Sequence, residues 1–384
     1  MNYFSSNFKL GIIGGGQLGK MLLQETRKFD VHTLVLDPSE SAPCKIACNE
    51  FFVGDLMDFD TVYNFGKRAG VVTIEIENVN VEALEALEKE GIKVYPSSKT
   101  LRTIQDKSQQ KLFYVDNNIP TAPFSRFAYK DQILTAINNE SLSFPFVWKS
   151  TRFGYDGYGV KIVKTYSDLD NLTAGECITE NLIAFEMELA VIVARSVSGQ
   201  VATYPVVEME FHPEANQVEY VICPARISDE NAKKAQLIAL KTSAAFNHVG
   251  LLAVEMFLTK NGDLLVNEVA PRPHNSGHFS IEASITSQYE QHLRAILNFP
   301  LGSTKSKAAA VMVNLVGDEN YNGPVAYENI EKILSLEGVT PHIYGKKETR
   351  PFRKMGHVTI VNQDLTEARK IAEQVKRTIK VIST

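Results

Sequence analysis

The chain has 384 residues, a formal net charge of −5, 44% hydrophobic residues and four cysteines. That length exceeds a usual single core and predicts two or three domains. The mixed, slightly acidic charge excludes a broad electrostatic footprint for nucleic acid or anionic membrane, so any anionic ligand must be held by local basic groups. No apolar run reaches the roughly 20 residues of a membrane helix, and the start MNYFSSNFKLGIIGGG has no signal-peptide pattern. Cys44, Cys48, Cys177 and Cys223 are too few and too scattered for a disulfide framework, and no second Cys/His pair completes a zinc site with the first two. A reduced, cytoplasmic protein is expected.

The first hundred residues alternate strand-like and helix-like segments: KLGIIG, QLGKMLLQETRKF, VHTLVLD, DTVYNFGKRAG, VVTIEIE, VEALEALEKEG and IKVYP. Such alternation predicts a parallel sheet covered by helices. A polar helical stretch, TLRTIQDKSQQKLFYVDNN, follows and ends at Ile119-Pro120. From FPFVWK onward the segments are longer and β-rich, with one helix, DENAKKAQLIALKTSAAFN, whose Asp229 is expected to cap its first turn. A third segment begins near Lys305, with strands AAAVMVNLVG and HVTIVN and a closing helix, LTEARKIAEQVKR. The fold class is therefore α/β joined to α+β. The expected units are 1–106, Rossmann-like; 107–304, an antiparallel α+β domain; and 305–384, a small β-rich domain.

Gly14-x-Gly16-x-x-Gly19 follows a strand and opens a helix, and Asp37 ends the next strand. This satisfies a dinucleotide fingerprint on its face and, taken alone, implies a nicotinamide-dependent dehydrogenase. The same glycines nearly spell a P-loop, but Met21 stands where a Mg²⁺-binding hydroxyl is needed. A tight strand-to-helix turn without a ligand, or an anion at the helix N-terminus, are the other readings. The glycines locate a site without identifying its occupant.

Two opposed glutamates say more. Asn261-Gly262 predicts a two-residue type I′ hairpin turn between AVEMFLTK and DLLVNEVA. Counting outward, Lys260 faces Asp263 and Glu255 faces Glu268. Carboxylates about 5 Å apart repel by roughly 3 kcal/mol at an effective dielectric near 20, so a cation is expected between them. With Asn267 beside them, oxygen-only ligation suits Mg²⁺ bridging to phosphates, with Mn²⁺ as a substitute. A second glycine loop supplies the phosphate partner: Lys149 ends FPFVWK and precedes STRFGYDGYGV, whose glycines let backbone N–H groups approach an anion.

A lysine before a glycine loop, a hinge with a glutamate, and a late acidic pair ending in Asn-Glu resemble the ATP-grasp superfamily. Within it, GIIGGGQLGKM, IEIENV, GYDGYGV, YPVVE, PARI, NEVAPRPHNSGH and RPFRKMGHV are similar to the 5-(carboxyamino)imidazole ribonucleotide synthase family over nearly the whole chain. The resemblance implies an N-terminal Rossmann-like domain, a central ATP-grasp domain and a small C-terminal domain. The implied reaction is ATP-dependent carboxylation of 5-aminoimidazole ribonucleotide with bicarbonate, via carboxyphosphate, in purine biosynthesis. A formyl-phosphate-using ligase acting on glycinamide ribonucleotide is the nearest alternative, and a homodimer is the implied assembly. A non-catalytic nucleotide-binding regulator would keep the grasp but need no basic pair at Lys346 and Arg353.

Position by position, the resemblance implies that Lys107 and Lys149 contact ATP phosphates and that Gly154, Tyr155, Asp156, Gly157, Tyr158, Gly159 and Val160 cover them. Glu180, Asn181, Leu182 and Ile183 form the adenine hinge, Glu188 accepts the ribose hydroxyls, and His212 lies beside the nucleotide. Glu255, Glu268 and Asn267 hold Mg²⁺, the last two also meeting ATP. Gln17, Leu18, Glu75, Tyr155, Asp156, Lys346 and Arg353 surround the ribonucleotide, the last two on its phosphate. Arg272 and His278 are candidates for holding bicarbonate or carboxyphosphate oxygens, and the residue that deprotonates the amine is Asp156 or His278. The chain departs from the family pattern at Tyr158, where an arginine is usual, at Phe352, where a glycine is usual, and at Lys107, often an arginine.

Overall fold

A computed structural model describes residues 2–152, 159–213 and 217–384. Five parallel strands form the first sheet, in the spatial order Glu50–Val53, His32–Asp37, Lys9–Ile13, Val71–Ile74, Lys93–Tyr95. The central strands are continuous apolar runs because helices cover both faces. Strand order reverses between Lys9–Ile13 and Val71–Ile74, which opens a crevice at their carboxyl ends.

The polar helical stretch after Pro96 is two helices, Ser98–Ile104 and Lys107–Asp116. The break is made by Asp106, whose side chain accepts from the Ser108 and Gln109 N–H groups and starts a new helix. A four-stranded antiparallel sheet follows, in the order Phe124–Phe127, Cys177–Asn181, Phe146–Ser150, Val160–Val163.

The largest sheet has nine strands. Its main path runs Leu264–Ala270, Gly250–Thr259, Phe185–Arg195, Val207–Phe211, Val218–Cys223, Ala309–Val316, Lys354–Asn362, Val339–Ile343. The sheet crosses the border expected at Lys305: Val218–Cys223 pairs antiparallel with Ala309–Val316. The C-terminal strands thus extend the central sheet, and the helix Leu365–Thr378 buries Ala368, Ala372 and Val375 against them. Helix Asp229–Phe246 packs Ala235, Ala239 and Phe246 with Val254, Met256 and Val266. Its cap is Ser228, which accepts from the Asn231 N–H; Asp229 occupies the first turn instead, where its charge still complements the helix dipole.

The hairpin register differs from the two-residue expectation. Leu258 pairs with Leu264, and the Thr259 N–H donates to the Asp263 carbonyl, leaving a three-residue loop, Lys260-Asn261-Gly262. Only Gly262, at φ +82, is left-handed in that loop, whereas a type I′ turn needs both central residues there. The register then shifts between Val254 and Met256, since Val254 pairs with Val269 but Met256 with Val266. One residue, Glu255, therefore faces two, Asn267 and Glu268, in a β-bulge. The shift also moves Val266 to the face packed on the helix and Leu265 to the other.

Candidate active site

The N-terminal glycine loop is filled from within the chain. Gly14 has φ +97, a conformation open to glycine, and the following helix directs its first N–H groups at a carboxylate: Leu18 N donates to Glu75 Oε1 at 3.1 Å. A Cβ on Gly16 would lie 2.4 Å from that same oxygen. Asp37 accepts from the Gly15 and Ser39 N–H groups at 2.7 and 2.8 Å, closing the loop rather than facing a ribose. Glu75 occupies the place a pyrophosphate would need, which removes the support for a dinucleotide. Burial pushes Glu75 up to about 7 against the opposing pull of Arg272 and the Leu18 N–H. Leu18 and Glu75 thus meet at the mouth of the crevice, with Gln17 the residue before Leu18 on the same helix.

Across from it, three lysines and four glutamates converge from six elements, one helix and five strands. Lys107, placed at the first helical position by the Asp106 cap, meets Glu268 Oε2 at 2.8 Å. Lys111 is one helical turn further on the same face, 2% exposed, and bonds Thr121 Oγ1 at 2.6 Å and Glu180 Oε1 at 3.2 Å. Lys149 reaches the same Glu180 oxygen at 3.0 Å and the Asn267 amide oxygen at 2.9 Å. Burial pushes Glu180 up, but Lys149 and Lys111 outweigh it and hold it below its usual value. Burial also lowers Lys111 to about 8, against the attraction of Glu180.

The cation expected between Glu255 and Glu268 is supplied in part by the protein, as Lys107. Its charge holds Glu268 below the usual carboxylate range. At Glu255 the balance is the other way: burial, then the charges of Glu268 and Glu188, raise it against the weaker pull of Lys354 and Lys107. Glu188, on the neighbouring strand, is pushed up to about 7 by burial and Glu268. His274 Nε2 lies 3.2 Å from Glu255 Oε1. The bulge matters here because it turns Asn267 toward Lys149 and Glu268 toward Lys107, into one cleft, which regular alternation would prevent.

Segment 181–184 joins the small sheet to the large one, and within it Asn181 and Leu182 are exposed while Ile183 is half-buried. Gly159, at φ +77, precedes the strand begun by Val160; Gly154, Tyr155, Asp156, Gly157 and Tyr158 lie outside the described residues. Arg272 pairs with Glu77 at 2.8 Å, linking the glutamate strand to the N-terminal crevice. His278 is buried beneath it, 4.6 Å from the His357 ring. Lys346 donates to the Lys354 carbonyl at 2.7 Å, and Arg353 to the Glu348 carbonyl at 2.6 Å. Phe352, the departure from the expected glycine, has a left-handed backbone (φ +61), with its ring 5.7 Å from His212. His212 borders a separate cavity with Asn314, Phe352 and Lys376, three residues beyond Met209, the strand partner of Glu188.

Sequence reasoning left three residues without a role. Lys111 is marked only by its spacing of four from Lys107. His274 lies inside the quoted PRPH segment, and Lys354, whose charge reaches both Glu255 and His278, follows Arg353.

Comparison with known proteins agrees with this geometry. Residues 8–105 match a ribonucleotide synthetase pre-ATP-grasp domain, residues 112–289 an ATP-grasp domain, and residues 310–371 a phosphoribosylaminoimidazole carboxylase C-terminal domain. N5-carboxyaminoimidazole ribonucleotide synthase of Bacillus subtilis is 37% identical over 92% of this chain and 91% of its own length. The chain spans 64% of the longer phosphoribosylaminoimidazole carboxylase of Vigna aconitifolia, at 38% identity. Among solved structures, N5-carboxyaminoimidazole ribonucleotide synthetase of Thermotoga maritima is 44% identical, with TM-score 0.89 over 98% of this chain and 100% of its own. The Aspergillus clavatus enzyme in complex with ADP and 5-aminoimidazole ribonucleotide is 33% identical, with TM-score 0.88 over 97% of this chain and 98% of its own. With its switch-point crevice, lysine-lined cleft and bulged glutamate strand on this fold, the chain belongs to the N5-carboxyaminoimidazole ribonucleotide synthase family of ATP-grasp enzymes.

Proposed function

We propose that the chain carboxylates 5-aminoimidazole ribonucleotide with bicarbonate, using ATP and releasing ADP and phosphate, as a step of purine biosynthesis. The observation that carries this reading is the cleft in which Lys107, Lys111 and Lys149 face Glu268, Asn267 and Glu180. Lysines that close on carboxylates can exchange those partners for phosphate oxygens without being desolvated anew. Lys107 and Lys149 would take the ATP phosphates, 154–160 would cover them, 180–183 would read the adenine, Glu188 the ribose, and His212 would stand beside the nucleotide.

Among the described residues no group of three or more His, Cys, Asp or Glu side chains surrounds one point. Glu255, Glu268 and Asn267 still fit Mg²⁺ or Mn²⁺ in donor chemistry: all are hard oxygens, and Glu255 is held up by burial and then by negative neighbours, whose charge a cation would offset. Held by these residues, such an ion would supply positive charge to offset that on the transferred phosphoryl group. Lys149 would offset charge on the same group. Arg272 and His278 would hold the bicarbonate or carboxyphosphate oxygens, and closure over the cleft would exclude water from that short-lived species. Gln17, Leu18, Glu75, Tyr155, Asp156, Lys346 and Arg353 would surround the ribonucleotide, the two basic groups on its phosphate.

Among the described residues no helix is long and apolar enough to cross a membrane. A cytoplasmic homodimer, built from units 1–106, 107–304 and 305–384, completes the proposal. The test is ADP release measured with each of bicarbonate and 5-aminoimidazole ribonucleotide omitted in turn. Strong dependence on both is expected, and release indifferent to bicarbonate would refute carboxylation.

A further inference from the structure

Gln288 opens the helix Gln288–Ile296 and is fully buried. Its carboxamide lies against the backbone of one residue: Oε1 accepts from the His274 N–H at 2.9 Å, and Nε2 donates to the His274 carbonyl at 2.8 Å. A peptide presents one donor and one acceptor, so this double pairing fixes which end of the amide carries hydrogens. The contact is close, since a Cβ added at Gly277 would lie 2.5 Å from Gln288 Oε1. The turn from His274 to His278 is therefore shaped around this amide.

Nε2 has a second hydrogen, and His278 Nδ1 stands 3.0 Å away. An amide nitrogen only donates, so Nδ1 must offer its lone pair. The Tyr289 hydroxyl, 3.1 Å from the same Nδ1, can donate to it as well. His278 is 1% exposed, and burial favours its neutral form. A neutral ring that accepts at Nδ1 carries its single proton on Nε2.

We propose that Gln288 is a positioning residue of the active site, clamping the His274–His278 turn and holding His278 as the Nε2–H tautomer, a hydrogen-bond donor rather than a base. Its consequence for the reaction rests on the carboxylation reading: of the two groups that would deprotonate the attacking amine, Asp156 and His278, only Asp156 is left. His278 offers a donor N–H, which suits an anionic oxygen and cannot accept the proton of an amine.

The tautomer is read directly from two-bond ¹H–¹⁵N correlations of the full chain labelled with [¹⁵N]histidine, His278 being assigned by its disappearance in His278→Gln. Wild type is expected to show a proton on Nε2 and none on Nδ1. Gln288→Glu replaces the amide donor by an acceptor, and its His278 is expected to gain a proton on Nδ1. Wild-type His278 protonated on Nδ1, or an unchanged ring pattern in folded Gln288→Glu, would overturn the assignment. Should a buried carboxylate prevent folding, Gln288→Met removes both clamps with an uncharged side chain. A drop of roughly tenfold or more in kcat with the KM for ATP within about twofold is expected for it. Wild-type kcat in folded Gln288→Met would overturn the positioning role. The spectra do not depend on turnover, so a wild-type enzyme indifferent to bicarbonate would sink the carboxylation reading while leaving the tautomer intact.

Discussion

Replacing Glu268 by glutamine separates the electrostatics of the cleft from its proposed chemistry. Considered as an isolated pair, Glu255 and Glu268 repel, and neutralising one of them should stabilise the fold. Lys107 reverses that sign. Glu255 is already raised by burial and by its carboxylate neighbours, so little of its negative charge remains near neutrality to be relieved. Glu268, held down by Lys107 at 2.8 Å, is the charged partner whose loss leaves a lysine without its carboxylate. A charge-assisted hydrogen bond contributes about 1.5–3 kcal/mol. The Glu268 side chain is 43% exposed to the cleft, so screening by solvent reduces the expected loss to about 1 kcal/mol. Denaturant unfolding without nucleotide or metal measures this term. In the presence of Mg²⁺, ATP, bicarbonate and 5-aminoimidazole ribonucleotide, ADP release should fall roughly 100-fold or more if Glu268 is the metal ligand proposed above. A variant more stable than the parent by about 1 kcal/mol would refute the role given to Lys107. Turnover within a few-fold of wild type would refute the metal assignment.

Other substitutions probe separate parts of the argument. Gly262→Ala should cost about 1–2 kcal/mol by forcing a side chain into φ +82, whereas Asn261→Ala should cost under about 0.5 kcal/mol; equal penalties would restore the two-residue turn. His292 is buried, accepts from the Leu251 N–H, and is lowered to about 3 by burial from an ordinary value of 6.5. Below pH 6.5 the unfolded chain takes up a proton that the native state refuses, so wild type loses stability as pH falls toward 3. His292→Gln lacks this term, and its stability deficit relative to wild type should shrink by about 2 kcal/mol between pH 7.5 and 5, a gap that denaturant titration at the two values would show to be constant if the reasoning is wrong. Arg353→Ala should raise the KM for 5-aminoimidazole ribonucleotide by roughly one to two orders of magnitude and leave that for ATP nearly fixed; steady-state rates with each substrate varied decide it, and the opposite pattern would move the acceptor site away from the C-terminal strands.

Local chemistry was legible where neighbours in sequence are neighbours in space. The alternating apolar segments of the first hundred residues give the parallel sheet, and a lysine before a glycine loop and an Asn-Glu pair give the two walls of the cleft. The hairpin shows the limit. Asn-Gly fits a two-residue turn, but the chain places only Gly262 in the left-handed region, and the one-residue slip this causes is taken up by the bulge at Asn267 and Glu268. Glu255 still reaches Glu268, although through different pairing. Turn preferences differ by about a kilocalorie, and packing of Val254, Met256 and Val266 under the helix readily outweighs that.

By itself the sequence determined the alternating elements of the first hundred residues, the family and the residue types of the cleft, because periodicity and motif spacing are local properties of the chain. Only the tertiary structure decided what fills the glycine loop, since Glu75, just after the strand Val71–Ile74 and 57 positions beyond Leu18, meets it through the order of a parallel sheet. Likewise, Lys111 joins the site because its helix packs where Glu180 and Thr121 converge, and no motif marks that meeting. The C-terminal strands extend the large sheet for the same reason: strand pairing is a long-range hydrogen-bond match, and a segment's own composition does not name its partner.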